Sequence, residues 1–193
     1  MVTPDAIVDL RNLAIKNKKR VWRPFMEGYH CQAICELGVR NGQNFDLMIK
    51  HHPQLAVAVD IWRDDANTAH NDAGFSQTAL DRQYQNFTKR MRGKPFVRIY
   101  RGYTDQASAH FPNNSFDFIY VDADHSYNGC LMDLQNWYPK VKKNRFLIGD
   151  DYRNDLVNPR VDFGVVAAVN NFAKDNKLTV YRLPRWGWAI IKT

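Results

Sequence analysis

Short apolar runs separated by longer amphipathic stretches constrain the fold of this chain more than any other feature. The runs cover residues 33–37, 55–60, 95–100, 116–122 and 145–150, and each has the length of a strand buried on both faces. Strands that alternate with helices pair in parallel, because each helix carries the chain back to the starting edge of the sheet. The sequence therefore predicts an α/β fold, with a mainly parallel sheet and helices on both faces.

Two further runs, residues 178–181 and 186–191, bring the predicted sheet to seven strands. Because only a short link separates them, they are expected to form an antiparallel C-terminal hairpin. Apolar residues at helical spacing predict helices at residues 42–50, 77–92, 131–138 and 165–172. The polar residues 64–72 are expected to form an exposed loop that borders a substrate site.

The length of 193 residues and the 45% of apolar residues fit one domain with a substantial core. We expect this domain at residues 31–193, preceded by a helical N-terminal extension at 1–30, where Ile7, Leu10, Leu13 and Ala14 have helical spacing. No run approaches the roughly 20 apolar residues of a membrane span. The sequence thus predicts a cytoplasmic protein with no membrane partner.

Charge and cysteine content narrow the function classes further. The three cysteines lack paired metal-ligand spacing, so we expect buried free thiols in a reducing compartment. The formal charge of +7 includes a basic cluster at residues 16–23. Such charge is more often a solvated surface than a nucleic-acid footprint, and nucleic-acid binding remains an alternative that is not favoured.

A glycine turn follows the first predicted strand, and an acid ends the second. Gly38 and Gly42 lie where the chain passes from strand to helix, so backbone N–H groups can approach a ligand there. Asp60 lies about twenty residues further on, where its two carboxylate oxygens can accept hydrogen bonds from ribose hydroxyls. Glycine turns alone are common, but together with Asp60 this one predicts a nucleotide-like ligand.

Carboxylates follow two strands that we expect to be neighbours. Asp122 and Asp124 follow the strand at 116–122, and Asp150 and Asp151 follow the strand at 145–150. Neighbouring strands are about 5 Å apart, and carboxylates that close repel one another unless they are protonated or neutralised. A hard divalent cation such as Mg²⁺ would neutralise them, although a single aspartate here would more often cap the following helix.

Two sets of motifs carry a resemblance to a known family. Glu-x-Gly-x-x-x-Gly at residues 36–42 resembles the S-adenosylmethionine motif of class I methyltransferases. Asp-x-Asp-His-Ser-Tyr at 122–127 and Gly-Asp-Asp-Tyr at 149–152 are more specific, and look like the blocks of macrocin-type and other metal-dependent O-methyltransferases. The resemblance covers residues 33–191 and implies the Rossmann-like methyltransferase fold.

The resemblance also implies roles for individual residues. Gly38 and Gly42 would line the methionine end of S-adenosylmethionine, Glu36 would support the turn, Asp60 would hold the ribose, and Asp122 would adjoin the cofactor. The implied ligands of Mg²⁺ or a similar ion are Asp122, Asp150 and Asp151. The implied base is Asp124, with His125 as the substitute; from the residues alone, His125 is equally a proton acceptor or a structural imidazole.

The implied reaction is methyl transfer to a hydroxyl of a small molecule or sugar, preferably one of two adjacent hydroxyls that chelate the metal. Two features depart from the family pattern. Asn144 stands in the turn where relatives carry Lys-Pro-Gly-Gly, and asparagine tolerates the left-handed backbone of such a glycine. The segment before the glycine motif is short, so a substrate lid would be missing or supplied by another subunit, which leaves a homodimer open.

Rival functions make different demands on the sequence. A nicotinamide-dependent short-chain dehydrogenase needs Tyr-x-x-x-Lys, and Tyr138 and Lys142 have that spacing. Pro139 interrupts the helical turn that this pair requires, and the glycine pattern is not Gly-x-Gly-x-x-Gly. A nucleic-acid methyltransferase that acts on base amino groups would need a block like Asn-Pro-Pro-Tyr, which the chain lacks.

Overall fold

A computed structural model describes residues 22–64, 74–154 and 163–193. These residues contain a seven-stranded sheet of order β3-β2-β1-β4-β5-β7-β6. Strands β1 to β5 pair with one another in parallel, while β7 is antiparallel to both β5 and β6. The strands are β1 Ala33–Leu37, β2 Leu55–Asp60, β3 Val97–Arg101, β4 Phe116–Val121, β5 Val141–Gly149, β6 Val180–Arg182 and β7 Trp188–Ile191.

The predicted mainly parallel sheet and its C-terminal antiparallel hairpin are confirmed. The fifth strand begins at Val141, earlier than predicted, because a register shift lets β5 pair with β4 at both Phe116↔Val141 and Phe118↔Phe146. Asn144 lies inside this irregular stretch with φ +58°. Asn144 therefore has the left-handed backbone that was expected where relatives carry the glycine of Lys-Pro-Gly-Gly.

Six α-helices lie between the described strands or before them. They are α1 Arg23–Tyr29, α2 Gln43–Met48, α3 Gln77–Met91, α4 Thr104–Ser108, α5 Tyr127–Trp137 and α6 Val165–Asp175. Helix α5 begins four residues before the predicted start, since the Ser126 side chain accepts a hydrogen bond from Gly129 N at 3.1 Å and caps it. The short α4 was missed because a helix of five residues has no visible period.

Alternation along the strands divides the core into two layers. Ile34, Ala56 and Phe118 face one buried cluster, which includes residues of α1, α2 and α3. Their neighbours Cys35 and Val57 face a second cluster, which includes residues of α4, α5 and α6. Successive side chains of a strand point to opposite faces, so both faces of the sheet are covered, as predicted.

The N-terminal helix α1 belongs to this packing. Trp22, Phe25 and Met26 are buried, and the ring of Phe25 lies 5.0 Å from that of Phe146 on β5. The predicted helix at residues 7–14, the basic residues 16–20 and much of the polar loop at 64–72 lie outside the described residues. The division of the chain at residue 30 therefore stays a prediction.

Two expectations from composition can be checked in the described ranges. No helix there is both long enough and apolar enough to cross a membrane. Cys31, Cys35 and Cys130 are free and buried, as predicted. Burial raises the pKa of Cys31 to about 12, so its thiol is not a nucleophile near neutral pH.

Replacing Gly38 with alanine tests the close contact between the turn after β1 and the backbone of Asp122. Gly38 has φ +83°, and a Cβ there would lie 1.8 Å from the backbone oxygen of Asp122. We expect Gly38→Ala to lower the free energy of unfolding by about 3 kcal/mol or more. Gly93→Ala is the matched control, since Gly93 has φ +76° but no atom within 4 Å of a built Cβ.

The control should lose only about 1 kcal/mol, the penalty of the left-handed backbone. Chemical denaturation of both variants measures the difference. Equal losses in the two variants would show that the contact with Asp122 is not tight.

Candidate functional site

A cleft of about 350 Å³ opens at the carboxyl ends of the parallel strands. Its walls include Glu36 near the end of β1, Gly38 after β1, Asp60 at the end of β2, Tyr103 after β3 and Asp122 after β4. Strands β2 and β4 lie on either side of β1, so the chain leaves β1 at the point where the strand order reverses. Open α/β sheets place their ligand sites at this point.

The glycine turn is shaped by packing of the protein against itself. Gly38 N donates to Val59 O at 2.9 Å, and Asp122 N donates to Leu37 O at 2.9 Å, which leaves no space for a side chain at Gly38. Gly42 has φ +80°, and a Cβ there would lie 2.4 Å from the Phe87 ring on α3. Gly38 lines the cleft, whereas Gly42 is needed behind it, where α2 begins.

Asp60 organises the adjoining loops. Its two carboxylate oxygens accept from Arg40 N at 2.6 Å and from Trp62 N at 2.7 Å. The indole Nε1 of Trp62 donates to Arg40 O at 2.7 Å, and both Arg40 and Trp62 have positive φ angles. A carboxylate oxygen can accept more than one hydrogen bond, so these contacts are compatible with the predicted role of Asp60 in holding ribose hydroxyls.

Asp122, His125 and Asp151 form one cluster at the wall of the cleft. His125 Nε2 lies 3.3 Å from Asp122 Oδ1 and 3.1 Å from Asp151 Oδ2. One ligand atom from each residue lies within 4.8 Å of the other two. Burial raises the pKa of Asp122 to about 6; His125 lowers this pKa and the carboxylates of Asp150 and Asp151 raise it.

Asp150 is held beside this cluster by other groups. Its Oδ2 accepts from the Tyr120 hydroxyl at 3.0 Å, and its Oδ1 accepts from Asp151 N at 2.9 Å. Asp151 has φ +56°, and the hydrogen bond to Asp150 stabilises this turn. Among the described residues, ligand atoms of Asp122, His125 and Asp151 come together, while both oxygens of Asp150 accept hydrogen bonds from the protein; its role as a metal ligand stays a prediction.

Asp124 points away from the cleft lining. Its Oδ1 accepts from Ser126 N at 2.8 Å, and its carboxyl group packs against Gly129, where a Cβ would lie 2.1 Å from Asp124 Cγ. This is the helix-entry role that single aspartates often have. Of the two candidate bases, His125 lines the cleft and Asp124 does not; either role stays a prediction.

The sequence did not predict a buried pair, Thr104 and Asp133, at the wall of the cleft. Thr104 lines the cleft, its hydroxyl donates to Asp133 Oδ1, and Trp137 Nε1 donates to Thr104 O at 3.1 Å. Asp133 is 1% exposed, and burial raises its pKa to about 7. The strand-end rule that located Asp60 would have located Thr104 after β3, but nothing in the helical spacing of α5 singles out Asp133.

Four aromatic residues could have stacked on a ligand. Trp62 and Trp188 are fully buried and belong to the two core clusters. Tyr103 lines the cleft, whereas Trp186 is 52% exposed. Core packing is thus the role of Trp188, Trp62 both packs in the core and lines the cleft, and Tyr103 and Trp186 remain open to ligands.

The rival pair Tyr138 and Lys142 lies away from the cleft. Tyr138 begins a short 3₁₀ turn and its ring contacts Phe172 at 5.5 Å. Lys142 Nζ pairs at 3.1 Å with Asp117, near the amino end of β4. Since the cleft lies at the carboxyl ends of the strands, this pair cannot serve the cleft as a dehydrogenase dyad.

Comparison with known proteins identifies a family for most of this region. A family model described as a methyltransferase domain matches residues 27–152, which is 126 of the 193 residues. The match extends from α1 to the segment after β5, so it contains the glycine turn, Asp60 and the whole Asp122–His125–Asp151 cluster.

Solved structures share the fold at low sequence identity. The O-methyltransferase NovP has a TM-score of 0.62 and 17% identity over 96% of this chain and 78% of that one. An S-adenosylmethionine-dependent methyltransferase from Aquifex aeolicus has a TM-score of 0.53 and 15% identity, with 82% and 80% covered. An O-methyltransferase family protein from Burkholderia thailandensis has a TM-score of 0.59 and 12% identity, with 94% and 59% covered.

One sequence relative matches over a shorter stretch. An uncharacterised protein of Acanthamoeba polyphaga mimivirus, R132, is 31% identical over 62 residues, or 32% of this chain. The match spans 26% of that relative, about a quarter of its length.

The buried carboxyl of Asp133 should make stability depend on pH. Its folded pKa of about 7 lies above the ordinary value of 3.8, so the folded protein binds this proton more tightly than the unfolded chain. The contribution to stability is therefore full below about pH 4 and is lost as pH rises to about 7. We expect the free energy of unfolding of the wild type to fall by roughly 3 kcal/mol relative to Asp133→Asn between pH 4 and pH 8.

Urea denaturation across this pH range measures the effect. Asp175→Asn, which changes an exposed carboxyl at the end of α6, controls for the change of charge. Parallel stability curves for the wild type and Asp133→Asn would contradict the assignment.

Proposed function

The chain belongs to the methyltransferase-domain family, and on this premise we propose that it transfers the methyl group of S-adenosylmethionine to a hydroxyl of a small molecule or sugar, with the help of a divalent cation. One observation carries the proposal. Gly38, Asp60, Asp122, His125 and Asp151 line a single cleft at the carboxyl ends of the strands. Sugar-binding, cation-binding and proton-accepting groups are thus close enough to act on one bound pair of molecules.

The cofactor side of the cleft suits a positively charged nucleoside. Asp60 can accept from the ribose hydroxyls at the end of β2, in the position that the family resemblance implies. Glu36 is 1% exposed and lines the same cleft as Asp122, so two carboxyl groups lie where a sulfonium cation would be attracted. The walls of the cleft would hold the cofactor and the acceptor in the orientation that transfer requires.

The donor set of the acidic cluster fits a divalent cation. Asp122 and Asp151 supply carboxylate oxygens, and His125 supplies an imidazole nitrogen. Two carboxylates suit Mg²⁺ or Mn²⁺, and the imidazole adds affinity for ions such as Fe²⁺, Co²⁺ or Zn²⁺. When bound, such an ion polarises a substrate hydroxyl and lowers its pKa.

His125 has one of two roles, and they exclude each other. Transfer forms a bond between the methyl carbon and the hydroxyl oxygen, breaks the bond from that carbon to sulfur, and releases the hydroxyl proton. The Nε2 lone pair of His125 either completes the ligand set or accepts this proton. Its ring stacks on Phe163 with centroids 5.3 Å apart, which fixes the imidazole for either role.

Cofactor binding is the first test of the proposal. We expect S-adenosylmethionine and S-adenosylhomocysteine to bind in calorimetric titrations, and NAD not to bind. Asp60→Ala should weaken the binding of S-adenosylhomocysteine at least about tenfold, since it removes a charged acceptor of two hydrogen bonds. Asp64→Ala, four residues away, is the matched control and should bind as the wild type does.

Circular dichroism of Asp60→Ala must match the wild type, because Asp60 also holds the backbone of Arg40 and Trp62. Binding of NAD alone, or of neither sulfur nucleoside, would overturn the proposal.

Metal dependence is the second test. Asp151→Asn should lower metal-dependent methylation of a catechol at least about tenfold and leave the affinity for S-adenosylhomocysteine unchanged. Titration of His125→Ala with Mn²⁺ separates the two roles of the imidazole. If His125 is a metal ligand, the variant binds Mn²⁺ more weakly; if His125 is the base, the variant binds Mn²⁺ as the wild type does and only its kcat is lower. Undiminished activity of the wild type in a chelator would rule out the metal.

A further inference from the structure

Trp186 is the large apolar side chain that the described part of the chain leaves exposed. It is 52% exposed, and the guanidinium carbon of Arg153 lies 3.9 Å from the centroid of its ring. Arg185 is exposed in the same connection between β6 and β7, and Arg182 is exposed at the end of β6, with its guanidinium over the Tyr152 ring. The result is an exposed aromatic surface in contact with the guanidinium group of Arg153, on a protein whose nearby cleft is lined with acids.

Hydrogen bonds fasten this surface to the edge of the cleft. Tyr152 N donates to Trp186 O at 2.6 Å, and Trp188 Nε1 donates to Asp150 O at 3.2 Å. Tyr152 directly follows Asp151, which lines the cleft. The backbone of Trp186 is therefore hydrogen-bonded to the residue that follows Asp151, a member of the candidate metal cluster.

The turn holds Trp186 outward at a conformational cost. Arg185 has φ +57° and Trp186 has φ +66°, and left-handed backbone is unfavourable for bulky side chains by about 1–2 kcal/mol each. Hydrophobic burial does not offset this cost, because the indole is half exposed. Strained backbone of this kind is concentrated at ligand sites.

We propose that Trp186 and Arg153 bind the distal part of the methyl acceptor, and that this part is planar and carries a carboxylate or phosphate. This inference rests on the proposed function, which places the acceptor hydroxyl at the Asp122–His125–Asp151 cluster. Arg153 lies over one face of the indole, so a planar group would stack on the opposite face. The guanidinium of Arg153 lies against the indole and would pair with an anionic group of the acceptor. The acids of the cleft would repel such a group, which favours its place at this outer surface.

The test compares two catechols that differ in charge. Their affinities for the protein saturated with S-adenosylhomocysteine and Mg²⁺ are measured by calorimetry, with 3,4-dihydroxybenzoate as the anionic probe and 3,4-dihydroxybenzyl alcohol as the neutral one. We expect the wild type to bind the acid at least about tenfold more tightly. Arg153→Gln should abolish this preference, and Trp186→Ala should weaken both probes.

Matched controls separate a subsite from a structural role. Arg98→Gln removes the same charge from an exposed position on β3, on the far side of the sheet, and should keep the preference for the acid. Trp186→Phe should retain most of the affinity that Trp186→Ala loses. The affinity for S-adenosylhomocysteine should be the same in all four variants.

The remaining outcomes count against one proposal or the other. Equal binding of the two probes, no binding of either, or loss of the preference in Arg98→Gln would overturn the subsite. If S-adenosylhomocysteine does not bind, the proposed function fails. The probe comparison is then made without it, and a preference for the acid that depends on Arg153 would still support an anion subsite.

Discussion

The contact between the ends of β1 and β4 is the constraint on which the site depends. Gly38 lies so close to the backbone of Asp122 and Ala123 that no Cβ fits between them. This contact brings the turn after β1 and the acid after β4 to the same wall. Asp60 then ties the end of β2 to Arg40 in that turn, so three strand ends form one rigid rim around the cleft.

Carboxylates at the two edges of the sheet have contrasting environments. Asp117, which is 4% exposed, accepts from Gln32 N and Ala33 N and pairs with Lys142 and Arg145. Such a buried acid is compensated by donors and serves the fold. Asp122 instead lies beside two further carboxylates with His125 as its neighbour, an arrangement that favours a cation or a proton. The chemistry of the protein is therefore expected at the carboxyl edge.

The predictable part of the fold rests on periodicity. Continuous apolar runs, in which neighbours such as Ile34 and Cys35 face opposite sides, indicate that both faces of a strand are buried, and both layers of the core follow from them. The ends of helices and strands were less predictable where the conformation or the hydrogen bond of a single residue decides them. The cap of Ser126 on α5 and the left-handed Asn144 in β5 are local geometries that a pattern of apolar residues does not encode.

The sequence by itself determined the mainly parallel sheet and predicted that Gly38 and Asp60 lie at the edge that carries the cleft, because the order of the strands along the chain dictates which ends meet. Only the tertiary structure decided that His125, and not Asp150, joins Asp122 and Asp151, and that Thr104 rests on the buried Asp133. These pairings depend on side-chain direction and on contacts between distant elements. Such contacts are set by packing in three dimensions, and spacing along one chain does not record them.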